Sequence, residues 1–516
     1  TALENRANAL YDGELWQKAI DDLNSLIGQG EKGRENYAKL GTAQYKLEQY
    51  EMAAANLNKA IQLGDKGQEM LVMLGDCYVK KQDYKSAIPI LARAVQAGAD
   101  TKEVYLQLGI AKYETKDSRG AVDNLTKAME RGANDGSIYL MRGMSQNSLN
   151  NEDGTIGDLE KAFSLDVKDA AARFIVADIK FKKEDYQAAI TNYNESETLG
   201  NNEAVLYNNR GKAKFLLEDY ANAIKDFDQA LTVKVDYTKA LENRAAAKFA
   251  LKDWQGVVTD YGQLVNAGKA NKESHERLGG AYYELKTYDK AAEQLNKALQ
   301  LGANGQSLYK MLGLSYVNIG NGKSAIPHLT NAVKAGEDSQ EVYQALGTAR
   351  YEVKDYRGAV ESLDLAVAKG ANSSEVFLQK GNAKYILKDE EGALPDLEKA
   401  VAMGADDFQA YYNLGNMKYK AQQYEAAIGY YDKGIAKGTE DPVIYNNRGK
   451  AKLQGKDYAG SIVDFDKALS IKPDYDKAIQ GRGEAKFATK DYAGAIVDLE
   501  KSSENKETVR MLAIAK

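Results

Sequence analysis

The sequence predicts an all-α fold, an α-solenoid in which antiparallel helical hairpins stack side by side. Two observations support this prediction. First, the chain has 516 residues, more than the roughly 250–300 residues at which a single hydrophobic core stops growing. Second, one pattern of small and aromatic residues recurs at a fixed interval along the chain, which is the signature of a repeat architecture. Each unit of such a stack buries its apolar face only against its neighbours.

A small residue marks the same position in every repeat, and we call it the anchor. Gly41 and Gly75 are 75 − 41 = 34 residues apart, and this step continues through fifteen repeats without insertion or deletion. The repeats occupy residues 1–505 as one array. Their anchors are Ala7, Gly41, Gly75, Gly109, Gly143, Ala177, Gly211, Ala245, Gly279, Gly313, Gly347, Gly381, Gly415, Gly449 and Gly483.

Three further positions recur in most repeats. Four residues past the anchor stands a Tyr or Phe, as at Tyr45; an aromatic residue follows at Tyr50 and an alanine at Ala53. Residues four apart share one face of a helix, so the anchor and the first aromatic belong to a first helix. We expect the alanine to be the small counterpart of the anchor on a second helix. A glycine such as Gly64 then suits the left-handed cap that ends the second helix.

The last segment, "KETVRMLAIAK" at residues 506–516, departs from this register. We expect a C-terminal capping helix there, because terminal units of a solenoid need a cover for their open face.

Composition excludes several functions. The net charge of −6 argues against a general nucleic-acid binder, which is normally basic. No apolar run approaches the ~18 residues of a membrane span. His275, His328 and the single Cys77 make disulfides, zinc clusters and Ser-His triads improbable. The "RGK" at 210–212 lies in a predicted helix, whose backbone N–H groups are already used. We therefore expect no catalysis, cofactor or metal.

The stretch "YNNRGKAKFLLEDYANAIKDFDQAL" at residues 207–231 resembles the tetratricopeptide repeat, and the resemblance covers nearly the whole chain. It implies a right-handed superhelix with about seven to eight repeats per turn, whose first helices line a concave groove for partner proteins. Two features depart from the family pattern. Its usual proline survives only as Pro473, and Lys or Arg, such as Lys214, often stands three residues past the anchor. We expect these stems to cover apolar surface while their amines reach water.

The octapeptide "YNNRGKAK" occurs twice, at 207–214 and 445–452, and 445 − 207 = 238 = 7 × 34. Seven repeats have therefore been duplicated. Combined with the geometry that the resemblance implies, this predicts about two superhelical turns, with equivalent residues one turn apart.

Seven repeats carry a base directly before the anchor, and the same seven carry an aspartate fifteen residues past it. Because an unpaired buried charge is costly, we predict helix-to-helix ion pairs; a ligand-binding role for the bases is the alternative. The predicted pairs are Arg6 with Asp22, Arg142 with Asp158, Arg210 with Asp226, Arg244 with Asp260, Lys380 with Asp396, Arg448 with Asp464, and Arg482 with Asp498.

Candidate binding residues lie on the first helices. Asparagine amides two residues before the anchor can hydrogen-bond a peptide backbone, as the resemblance to peptide-binding arrays suggests, and lysines one past the anchor add charge for a carboxylate. A solvated polar face is the alternative interpretation. In three successive repeats the residue three positions before the anchor is apolar, which favours an amphipathic partner helix. These candidates are Asn5, Asn209, Asn243, Asn413, Asn447, Lys212 and Lys450, with Val72, Leu106 and Leu140.

The leading functional hypothesis is a non-catalytic scaffold that binds proteins along its groove, as extended peptides or amphipathic helices. The alternatives are an architectural, self-associating part of a bacterial envelope or secretion complex, and a carrier for an enzyme elsewhere in a longer chain. The chain starts at Thr1 without Met or signal peptide, which suggests a processed form or a fragment. This favours the periplasm or envelope, with the cytoplasm as the alternative.

Overall fold

The computed structural model describes residues 2–502 and 506–515, and all regular structure within these ranges is α-helical. The chain divides into two compact units, Thr1–Leu251 and Lys252–Lys516. The helices of the first unit are α1 Ala2–Asp12, α2 Trp16–Gly28, α3 Arg34–Lys46, α4 Tyr50–Gln62, α5 Gln68–Lys80, α6 Tyr84–Gln96, α7 Lys102–Glu114, α8 Ser118–Glu130, α9 Gly136–Ser148, α10 Glu152–Ser164, α11 Ala170–Lys182, α12 Tyr186–Thr198, α13 Ala204–Leu216, α14 Tyr220–Val233 and α15 Thr238–Ala250.

The helices of the second unit are α16 Trp254–Asn266, α17 Lys272–Glu284, α18 Tyr288–Gln300, α19 Gln306–Asn318, α20 Gly322–Lys334, α21 Gln340–Glu352, α22 Tyr356–Ala368, α23 Ser374–Ile386, α24 Glu390–Ala402, α25 Phe408–Lys420, α26 Tyr424–Ile435, α27 Pro442–Gln454, α28 Tyr458–Ile471, α29 Asp476–Ala488, α30 Tyr492–Leu499 and α31 Lys506–Ala515.

Within each unit, the odd-numbered first helix of a hairpin packs on the even-numbered second helix that follows it, as α3 does on α4 and α17 on α18. Consecutive first helices also contact each other, for example α5 with α7 and α23 with α25. Among the described helices, no two consecutive second helices approach each other as closely. In each unit the first helices are therefore crowded on one side, which makes the first-helix face the concave one.

The turn inside each hairpin uses a left-handed residue seven positions past the anchor. Glu48 has a φ of 59° and Lys354 a φ of 66°, whereas the equivalent position of another repeat is Gly320, with a φ of 70°. The tight turn lets the Gln49 N–H donate to the Gln44 carbonyl at 2.8 Å, so a carbonyl at the end of the first helix gains a partner. The left-handed position is thus set by the turn and is filled mostly by residues with side chains.

Aspartate caps and aromatic contacts fix the start of the second helices. The Asp117 carboxylate accepts from the Gly120 N–H at 3.0 Å, as an N-cap residue does. The rings of Phe215 and Tyr220, four and nine residues past their anchor, meet edge to face with centroids 5.2 Å apart. The recurring aromatics of the sequence therefore hold the two helices of a hairpin together at their turn.

The anchor packs differently from the expectation. A Cβ atom placed on Gly75 would lie 2.3 Å from Leu91, and one on Gly211 would lie 2.6 Å from Phe227. These large residues stand sixteen positions past the anchor (91 − 75 and 227 − 211). The alanine twelve positions past it, such as Ala87, is fully buried, but the side chain closest to the anchor is a large one. The missing side chain of the anchor is thus the hole into which a leucine or phenylalanine inserts.

The segment after the last hairpin forms α31, which packs against α29 and α30, while residues 503–505 and Lys516 lie outside the described ranges. No described helix is both long and apolar enough to span a membrane. The described residues also hold no cluster of three or more metal-ligating side chains. The expected two superhelical turns concern how the two units are placed relative to each other, and remain a prediction.

Candidate functional site

Bases before the anchor contact the aspartates of their own hairpins. Arg210 donates to Asp226 from Nε at 3.1 Å and from Nη2 at 2.8 Å, and both side chains are less than 10% exposed. Five other repeats have the same contact, with donor–acceptor distances of 2.7–3.1 Å: Arg6 to Asp22, Arg142 to Asp158, Lys380 to Asp396, Arg448 to Asp464 and Arg482 to Asp498. Arg244 and Asp260 belong to different units, so their pairing remains a prediction.

Four of these aspartates also bind a second base. The Lys214 Nζ lies 2.8 Å from the Asp226 Oδ2, and Lys384, Lys452 and Lys486 contact their aspartates in the same way at 2.8–3.0 Å. For these four lysines the expectation that the amines reach water is therefore wrong. The reason is that the aspartate is buried with two oxygens to satisfy, and the base before the anchor leaves room for a second donor.

The same bases reach the preceding repeat, a contact that sequence reasoning missed. Arg448 and Arg482 donate from Nη1 to Asp432 and Asp466 at 2.7 Å, and Lys380 lies 3.1 Å from Asp364. Each of these three bases thus contacts two aspartates, one sixteen residues earlier in the chain, in the preceding repeat, and one sixteen residues later, in its own hairpin. The signal was present: an aspartate seventeen positions past the anchor occurs only at Asp228, Asp364, Asp432 and Asp466, each in the repeat before a base.

The electrostatics of Arg210 show that this network is internal. Burial by itself lowers the pKa of Arg210, but the hydrogen bonds to Asp226 and Glu197 outweigh it and raise the pKa above its ordinary value. Asn194 accepts a further hydrogen bond from Nη1 at 2.8 Å. The guanidinium of Arg210 therefore donates from all three of its nitrogens to groups of the protein itself.

Cavities recur between neighbouring first helices on the concave face of each unit. One of about 280 Å³ lies between α25 and α27, one of about 150 Å³ lies between α13 and α15, and one of about 440 Å³ lies between α19 and α21. All three are lined by residues one, four and five positions past an anchor. These residues are Asn416, Tyr419 and Lys420; Lys212, Phe215 and Leu216; and Leu314, Val317 and Asn318.

Four of the predicted binding residues line these cavities. Asn243 and Lys212 line the cavity of the first unit, and Asn447 and Lys450 line the one between α25 and α27. The fifth position past the anchor was not predicted, because its residue type varies between repeats.

The asparagine amides are engaged with the scaffold. The Nδ2 of Asn447 donates to the Asn416 Oδ1 at 3.0 Å, and that of Asn209 donates to the Asp178 Oδ1 at 3.1 Å. Asn243 donates to the Asn208 Oδ1 at 2.9 Å. These bonds link consecutive first helices, so a peptide meets asparagines whose Nδ2 already has an acceptor.

Asn413 does not belong to a binding surface, and its assignment to the groove is wrong. Its side chain is buried, with only 1% of the residue exposed. Its Nδ2 donates to the Asn382 Oδ1 at 2.9 Å, and its Oδ1 accepts from Gln409. The other candidate asparagine, Asn5, is exposed on α1.

The apolar candidates are half-buried on consecutive first helices. Val72 on α5 and Leu106 on α7 pack against one hydrophobic cluster, and Leu140 on α9 packs against another. Each keeps part of its surface exposed. The first-helix face of the first unit is therefore more apolar at α5 to α9 than at α13.

A stack of helical hairpins with a small anchor every 34 residues defines a helical repeat protein. One family model described as tetratricopeptide repeat matches residues 38–101, 258–306 and 378–442. A second model with the same description matches residues 204–237 and 442–475. The chain belongs to the tetratricopeptide repeat family. No match was found among curated proteins.

Several solved structures are similar to the chain. The APC/C hetero-tetramer Cut9-Hcn1 is 16% identical and covers 88% of this chain and 96% of its own, with a TM-score of 0.29. MamA is 24% identical over 33% of this chain and 92% of its own, with a TM-score of 0.29. YrrB, described as a TPR protein with an unusual peptide-binding site, is 19% identical and covers 42% of this chain and 95% of its own, with a TM-score of 0.24.

Proposed function

We propose that the chain is a non-catalytic scaffold that holds partner proteins along its first-helix faces. The observation that supports this is the recurrence of cavities between neighbouring first helices, built each time from the same positions of the repeat. Equivalent pockets that recur along a stack of repeats suit a chain-like ligand, because one segment can contact several first helices of a unit.

The spacing of the first helices suits an extended segment. Packed helices lie about 8–10 Å apart, and an extended peptide advances about 3.3 Å per residue. About three residues of such a segment therefore span the distance from one first helix to the next. At α5 to α9 the apolar surface of Val72, Leu106 and Leu140 instead favours the apolar stripe of an amphipathic helix.

Photo-crosslinking from matched positions tests the scaffold. A photoreactive residue replaces Lys212, exposed on the first-helix face, or Lys225, exposed on second helix α14 of the same repeat. Partners that crosslink from position 212 and not from position 225, identified by mass spectrometry, support the proposal. Equal capture from both positions, or from neither, contradicts it.

A second candidate, self-association in an architectural role, is favoured by one observation. Val463 on α28 and Val497 on α30, 34 residues apart, are 66% and 53% exposed, whereas the equivalent residues of other repeats are small, polar or proline. If they form a contact between copies, the mass measured by light scattering rises with concentration, and Val463→Lys with Val497→Lys abolishes that rise. A mass that stays monomeric at all concentrations excludes this candidate.

A further inference from the structure

The cavity between α25 and α27 is lined by hydrogen-bond donors without a matching acid. Its walls are Tyr385, Asn416, Tyr419, Tyr431, Asn447 and the two lysines 420 and 450, and no carboxylate is among them. The Tyr385 hydroxyl accepts from the Asn416 Nδ2 at 3.2 Å, which leaves its own hydrogen available. Within the described ranges, the Tyr419 hydroxyl has no hydrogen-bond partner.

Lys450 is the charge of this cavity that the protein does not neutralise. Lys420 pairs with Glu390 at 2.5 Å, whereas Lys450 forms neither an ion pair nor a hydrogen bond with any residue in the part of the chain that the structure describes. Burial lowers the pKa of Lys450, the neighbouring Lys477 lowers it further, and Glu484 on α29 has the smallest effect, which raises it. Lys450 is half-buried. A cation partly removed from water without a partner is unfavourable, and an incoming anion would reduce that cost.

The duplicated seven repeats provide an internal comparison. Subtracting 238 from 416, 419 and 450 gives Asp178, Phe181 and Lys212 in the first unit. There the amide of Asn416 is replaced by a carboxylate, and Lys212 is exposed with its Nζ over the Phe181 ring at 5.5 Å. Both copies have an aromatic ring at the second of these positions, Phe181 and Tyr419, but only the first copy has a carboxylate, Asp178, where the second has the amide of Asn416.

We infer that the cavity between α25 and α27 binds a carboxylate through Lys450 and the Tyr385 hydroxyl, and that the equivalent positions between α11 and α13 do not. The ammonium supplies a charge-assisted hydrogen bond, and the hydroxyl supplies the donor to the second oxygen. The inference rests on the proposed function only for the source of the carboxylate, an Asp or Glu side chain of a bound protein segment. At the first copy, Asp178 repels such a group.

Competitive lysine labelling tests the pocket without any partner protein. The full chain is acetylated briefly at pH 8 with a water-soluble reagent, with or without N-acetyl-glutamate α-amide, which has one side-chain carboxylate. N-acetyl-glutamine amide is the neutral control. Mass spectrometry reads Lys450 and Lys212 in the same sample. Occupancy slows labelling by 1 + [L]/Kd, so at three times Kd the rate at Lys450 falls about fourfold.

The inference predicts that the acid protects Lys450 but not Lys212, that the neutral amide protects neither, and that Asn416→Asp abolishes the protection. Equal labelling of Lys450 with acid and amide overturns it, and so does equal protection of both lysines. Circular dichroism of Asn416→Asp, with unchanged labelling at Lys212, shows that the variant is folded. A negative result leaves the crosslinking test of the scaffold unaffected, so the two proposals fail separately.

Discussion

Removing the acid from the buried network should cost more than removing the arginine. Asp226, whose side chain is 6% exposed, holds two bases, Arg210 and Lys214. Asp226→Leu therefore leaves the buried Arg210 and the half-buried Lys214 short of an anion, and we expect it to reduce the local stability by about 3–5 kcal/mol. Arg210→Leu leaves Asp226 paired with Lys214 and leaves Glu197 partly in water, so we expect a loss of about 1–3 kcal/mol.

The double variant tests whether the two residues act as a pair. Removing both Arg210 and Asp226 leaves only Lys214 without its anion, so the loss should be smaller than the sum of the two single losses by at least about 1 kcal/mol. The rescue should remain incomplete because of that lysine. Arg6 and Asp22 serve as the matched control: they form the same contact, but the Arg6 side chain is 66% exposed, and their replacement should be hardly detectable.

Hydrogen exchange read by mass spectrometry on α13 and α14 suits this measurement, because long repeat arrays lose two-state behaviour and a single unfolding midpoint is then poorly defined. The same data on α1 and α2 provide the control. The reasoning is refuted if Arg210→Leu costs as much as Asp226→Leu, or if the two losses simply add.

Three further predictions follow from single residues. Burial lowers the pKa of His328, whose ring stacks on Tyr316. The folded state therefore resists protonation of this histidine, and the stability of the protein should fall as the pH drops from about 6.5. In thermal unfolding between pH 7.5 and 5.5, the His328→Gln variant should not show this fall. Lys354→Gly should stabilise its hairpin by up to about 1 kcal/mol, because Lys354 has a left-handed φ of 66° that glycine adopts without steric cost. Gly320→Lys should destabilise its hairpin for the same reason. A denaturation midpoint that falls for Lys354→Gly, or rises for Gly320→Lys, contradicts this. Burial raises the pKa of the fully buried Cys77 to about 12, so iodoacetamide at pH 8 should label the native chain far more slowly than the unfolded one, and equal rates would show that the thiol is accessible.

Local features were predictable where the pattern repeats. The helices, their turns and the hairpin pairing follow from a period that recurs along the chain, since each repeat gives another reading of the same signal. The contact of Arg210 with Asp226 was also predictable, because base and acid vary together from repeat to repeat. Contacts between two different repeats, such as Arg448 with Asp432, were not predicted, because the pattern within one repeat does not specify which residues of the next repeat come close.

The candidate site was less predictable than the fold. Asn447 lines a cavity, whereas Asn413, at the same position of its repeat, is buried. The residue type at this position is the same in both repeats, and the difference arises from neighbouring helices that the repeat pattern does not describe. The pairing of Lys214 with Asp226 was missed for a related reason, since a lysine stem on a helix surface can extend to water or fold back onto a carboxylate.

The fold class, the register of the repeats, the duplication of seven of them and most of the ion pairs within a hairpin follow from the amino-acid sequence. These features depend on local spacing along a helix, which the order of residues fixes. Three features became visible only once the helices were packed: the anchor is a hole for a large side chain, some amides are buried, and Lys450 faces a cavity without an acid. Such properties depend on the distance between side chains of different helices, and residues of one type at one repeat position acquire different surroundings when their neighbours differ.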